Sequence, residues 1–173
     1  MIGTVVGKTM GHGFAGSYSR QPDMIIDSVP AGSEIGFGDP VTYDSSGNAV
    51  TIPAHLLTAS TFTASSFVGV ASREVKSAIN YIDQNKGSYA LKEIASIMKR
   101  GHINVVCQRG TAALNGDVYV RVAENASYPT AKVGGFEAAS DTTNSVKLTN
   151  AKWAGSADGN NVAELAILSQ INA

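Results

Sequence analysis

Catalytic and metal-binding chemistry needs reactive side chains gathered at set spacings, and this chain scatters them. His12, His55 and His102 lie in three separate segments, none of them two or four residues from another ligand type, so no metal site is predicted. The single cysteine, Cys107, follows Val105-Val106 and reads as a small buried hydrophobe; alone it can form no internal disulfide. No Gly-x-Ser-x-Gly nucleophile elbow occurs, and the glycine-rich start lacks the Lys-Ser/Thr of a phosphate loop. Asp158-Gly159-Asn160-Asn161 has part of a calcium loop but not its spacing or closing glutamate, so a turn is predicted there. Asn125-Ala126-Ser127 matches a glycosylation sequon, which has no use in a chain read as unexported. The expectation is a non-enzyme with no catalytic, metal or cofactor-binding residues.

Composition narrows the remaining classes. The chain has 173 residues and a formal net charge of −1, so it lacks the basic footprint of a nucleic-acid binder. No run of about 18 apolar residues exists to span a membrane as a helix. Met1 to Lys8 lacks the pattern of a signal peptide, and the expectation is a soluble product made and used without export. Alanine, glycine, serine and threonine make up 71 of the 173 residues, and aromatics only 7%. Such side chains bury little apolar area each, so a monomeric core would be thin and a partner surface could supply the missing burial.

The elements that would carry any binding site are β in character. Residues 1–28 are interrupted by five glycines and hold Val5, Val6, Met10, Phe14 and Tyr18 at no sustained period. An ordered extended arm over residues 1–22, with one short strand, is preferred to a disordered terminus. Strands are expected at Met24–Ile26, Val41–Tyr43, Ala49–Ile52, Phe67–Ala71, Ile103–Cys107, Val118–Val122, Val146–Leu148 and Val162–Leu168, with a hairpin turn at 44–48. Between Tyr89 and Arg100, Leu91, Ile94, Ala95 and Met98 fit a helix, while alternation from Glu93 fits a strand; the flanking β text favours the strand. Residues 53–66 read as a long loop with at most one helical turn. The predicted fold is mainly β, a compact barrel or sandwich with little helix: one domain over 23–173 with a long loop region around 53–93.

Two weaker patterns stand beside these. Gly38-Asp39 and Gly116-Asp117 each precede an apolar strand, which marks either two related β units or coincidence. Residues 21–72 carry a net −5 and residues 73–109 a net +4. That segregation either orients docking between surfaces or is cancelled by folding.

Ile2-Gly3-Thr4-Val5-Val6-Gly7, Tyr18-Ser19-Arg20 with Pro22-Asp23, and Phe37-Gly38-Asp39-Pro40-Val41 together resemble the start of the cement, or head decoration, proteins of tailed bacteriophages. Arg100 to Cys107, Leu148 to Trp153 and Val162 to Leu165 continue the resemblance in order, whereas residues 53–93 depart from it. The resemblance implies a structural protein on the outside of a virion, made in the host cytoplasm. It further implies a homotrimer that clamps neighbouring major capsid protein subunits and performs no catalysis. Val5, Met10, Phe14, Tyr18 and Arg20 are then the candidate capsid or inter-subunit contacts. A tail or baseplate component is the alternative, and a small carbohydrate-binding β module a more distant one, since the lone Trp153 is equally placed to cap the core.

Overall fold

The computed structural model describes residues 11–59, 61–74 and 86–169. Its elements run β1 (Tyr18–Pro30), β2 (Ile35–Gly36), β3 (Pro40–Tyr43), β4 (Ala49–Thr51), α1 (Ile52–Ala59), β5 (Gly69–Ala71), β6 (Ser88–Tyr89), β7 (Ile94–Arg109), β8 (Asp117–Arg121), β9 (Phe136–Glu137), β10 (Ser145–Trp153) and β11 (Val162–Ile167). Mainly β with little helix is the class the sequence predicts, and the choice between barrel and sandwich resolves to a closed five-stranded barrel. Strands β11, β10, β8, β9 and β7 follow one another by hydrogen bonding, and the pairing of β11 with β7 closes the ring.

The 16-residue strand β7 organises the molecule because it serves two cores. Its first half pairs with β1 on one edge and β5 on the other, and β5 continues through β3 to β4. Its second half belongs to the barrel. Ala95 and Ile97 join the smaller core with Ile35, Val41 and Tyr89, whereas Ile103, Val105 and Cys107 join the barrel core with Trp153, Phe136 and Leu165. Met98 also faces the barrel core, so the barrel-facing residues switch from even to odd numbers between Met98 and Ile103. Gly101, at φ +125°, makes the switch; a Cβ there would lie 2.8 Å from the Asp23 carbonyl oxygen. Only glycine tolerates both demands, and the β1–β7 register is irregular at the same place. The periodicity of residues 89–100 is ambiguous for a different reason: β7 buries both faces there, Ala95 and Ile97 in the smaller core and Met98 in the barrel core, and the strand expectation holds.

One expectation fails. Residues 53–66 contain more than one helical turn, because α1 runs for eight residues from Ile52. Pro53 is tolerated in the first helical turn, and Ala54, Leu56 and Leu57 are good helix formers. The apolar stripe is short: Ile52 is buried and Leu56 packs on the core, while Leu57 is 88% exposed. Three of the expected strands also prove much longer, since Met24–Ile26 lies within β1, Ile103–Cys107 within β7 and Val146–Leu148 within β10.

The charge segregation is largely cancelled by folding. Lys99 meets Asp27 at 2.5 Å, Arg100 meets Asp23 at 3.2 Å and Lys86 meets Glu34 at 2.9 Å, so the basic stretch pairs with the acidic one. The two Gly-Asp phrases do not share a geometry. Gly38 is left-handed and Asp39 accepts the Gly36 amide, whereas Asp117 pairs with Lys147 and Lys152.

Candidate interaction surface

Residues 11–17 lie against the barrel, tied by side chains whose types the sequence supplies at distant positions. The His12 amide donates to Asp158 Oδ2 at 2.8 Å, and Asn104 Nδ2 donates to the His12 carbonyl at 2.7 Å. Asp158 Oδ1 also accepts the amides of Asn160 and Val162, which makes 158–162 the turn expected from its residues. Three backbone amides hold the Asp158 carboxyl below its usual pKa: those of His12 first, then Val162 and Asn160. Further along, the Gly16 amide donates to the Asn104 carbonyl at 2.7 Å and the Arg73 amide to the Gly16 carbonyl at 2.7 Å. Gly16 passes so close to Gly38 that a Cβ on it would lie 2.9 Å from the Gly38 nitrogen.

Between these ties the chain makes a tight turn. The Ser17 hydroxyl and amide both donate to the Phe14 carbonyl, at 2.6 and 3.1 Å. The turn projects Phe14 outward, 69% exposed, with the Arg73 guanidinium 4.7 Å from its ring centre. An apolar ring on a fixed turn costs little further entropy when a partner covers it.

The other candidate contacts are placed differently. Tyr18 packs on the barrel core and its hydroxyl donates to Glu74. Burial first, and the Glu74 carboxylate second, push its pKa up to about 12. Arg20 Nε lies 2.6 Å from Glu164 Oε1, which His102 Nδ1 also approaches at 2.8 Å. Burial pushes the Glu164 carboxyl up, but hydrogen bonds from Arg20, Ser19 and His102 outweigh it and leave the pKa lowered. Arg20 is thus an anchor with an open flank, its side chain 62% exposed against 9% for Glu164. Val5 and Met10 lie outside the described residues. His55 lies in α1 with its ring edge-on to Phe62, Cys107 is buried, and Trp153 is 1% exposed in the barrel core, so it forms no sugar-stacking platform.

Two features escaped the sequence reading. At one end of the barrel Arg121, fully buried, joins Glu137 at 2.6 Å and Asp141 at 2.8 Å, and Arg109 holds the second Glu137 oxygen at 3.0 Å. Asn125 donates to both Asp141 oxygens, and Tyr128 lies 4.6 Å over Arg109. The network pins the two segments that flank β9, residues 122–135 and 138–144, to β8 and β9. Its members come from four separated stretches, so no local spacing announces them. Beside it, a cleft of about 490 Å³ opens between the 14–17 turn, the 36–39 turn, the start of α1 and residues 130–136.

The comparisons agree with this architecture. The model of the structural cement protein family (E217 gp24/Pam3 gp6) matches residues 2–168. Among curated proteins none matches. A chain in the solved capsid of Myoviridae phage XM1 superposes with a TM-score of 0.65 at 16% identity, over 96% of both chains, and so shares the fold. With nearly its whole length matched by the family model, the chain belongs to the phage structural cement proteins, components of the virion whose role is to stabilise the capsid.

Proposed function

We propose that the protein binds the outside of the phage shell as a homotrimer and bridges neighbouring subunits of the major capsid protein, without catalysis. The observation that carries this reading is the pinned turn presenting Phe14, an exposed ring on a segment tied to the barrel on both sides. Arg20 flanks it with one guanidinium edge open, while Tyr18 anchors the segment from below. Each copy adds a modest patch, and three linked copies engage several capsid subunits at once. After the first contact the effective concentration of the rest is high, so avidity exceeds any single affinity. Because the protein binds the assembled lattice and not dispersed subunits, it shifts the equilibrium toward the intact shell. Synthesis in the host cytoplasm, with release by lysis, fits this use.

The test is co-sedimentation of purified protein with mature undecorated heads and with precursor shells, alongside its mass in solution by light scattering. Saturable binding to expanded heads, at a stoichiometry divisible by three, is expected. A folded protein that binds neither shell would overturn the cement reading. A monomer that stays monomeric on the shell would overturn the trimer.

A further inference from the structure

The cleft beside Phe14 is built around one carboxylate. Phe37, Ile52, Pro53, Val106 and Phe136 supply apolar wall, and Asp39 is the single acidic residue of its lining. Asp39 Oδ2 accepts the Gly36 amide at 2.9 Å, which fixes the side chain and leaves Oδ1 with no protein donor among the described residues. Asp39 is exposed at the rim of the cleft; packing of protein around it raises its pKa, against smaller lowering effects of the Gly36 amide and the Lys132 charge. Lys132 is exposed and makes no ion pair with Asp39. A fixed carboxylate at the rim of an apolar-walled cleft, with Lys132 in the same lining but no ion pair to it among the described residues, is complementary to a cation on an apolar stem.

We infer that this cleft is a specificity pocket of the capsid-binding surface, and that its occupant is a lysine or arginine side chain on an extended loop of the capsid shell protein. The inference rests on the cement reading and adds the chemistry of the partner. The aliphatic stem lies along Phe37, Pro53 and Val106, and the cationic tip reaches Asp39 Oδ1. Val106 is 44% exposed in mid-strand, and Phe14 stands next to Ala15 of the cleft wall. One partner loop can therefore cover the exposed ring and fill the cleft together.

The experiment compares wild type, Asp39→Asn and Lys132→Ala in co-sedimentation with expanded, undecorated heads, with a thermal melt of each. Asparagine keeps an acceptor for the Gly36 amide, so Asp39→Asn should melt cooperatively near the wild-type temperature while its head affinity falls about thirtyfold or more. Lys132→Ala, which removes a competing cation, should bind at least as tightly as wild type. If wild type binds and Asp39→Asn binds equally well, the pocket assignment is wrong and the cement reading stands. If Lys132→Ala weakens binding, the occupant is acidic and the inference is overturned. If folded wild type binds no heads, it is the cement reading that fails.

Discussion

Replacing Arg121 by methionine tests whether the buried charge network holds the cleft wall in place. Arg121 and Glu137 are both fully buried, and their 2.6 Å contact is the shortest in the network. Methionine fills similar volume but strands Glu137, which keeps Arg109 at 3.0 Å, and Asp141, which keeps Asn125. Breaking a buried pair from one side costs about 3–5 kcal/mol, and the surviving partners place this variant near the lower end. For a chain of this length about 3 kcal/mol corresponds to roughly 6–12 °C in Tm. Calorimetry measures that, and hydrogen exchange locates it: amides of 122–144 should lose protection before those of β10 and β11. Changing Arg121→Met together with Glu137→Leu should recover part of the loss, since no carboxylate is then stranded at position 137. An Arg121→Met protein melting within about 2 °C of wild type would refute the argument, because the pair would then contribute less than about 1 kcal/mol.

Gly101→Val should destabilise the fold by about 1–3 kcal/mol from backbone strain alone, because position 101 is left-handed and its Cβ would crowd the Asp23 carbonyl; a chemical denaturation curve reads this. The lowered pKa values of Glu164, Asp117 and Asp158 mean that their ionised forms favour the folded state. Their contribution is therefore present above the ordinary carboxylate range of about 4–4.5 and is lost as pH falls through the lowered values. Tm measured from pH 7 to pH 3 should accordingly fall, and the gap between wild type and Glu164→Gln should close at the acid end; a gap independent of pH would contradict this. Phe14→Ser should change the stability by no more than about 0.5 kcal/mol, as substitution at an exposed site does. It should nevertheless weaken head binding about tenfold, as loss of an apolar anchor does, in the same co-sedimentation assay.

The local chemistry of the chain is legible in adjacent residues. Alternation, turn residues and the scarcity of clustered reactive groups predicted a β chain, most of its strands, the Asp158 turn and the buried Cys107, because those depend on neighbours a few residues apart. The resemblance in short phrases along the chain led to the family. Features that depend on distant neighbours emerge only in the folded chain. Closure of the barrel requires β11 to find β7 across 60 residues of sequence, so barrel and sandwich read alike until then. Ala95 and Met98 mimic a helical period because β7 buries one face in each of two cores. The Arg121–Glu137–Asp141–Arg109 network draws on four chain segments and the Asp39 cleft on five, and three ion pairs join the acidic and basic stretches that suggested a docking field. Local interactions are written in adjacent residues, whereas long-range pairing is selected by the packing free energy of the whole chain, which no short window contains.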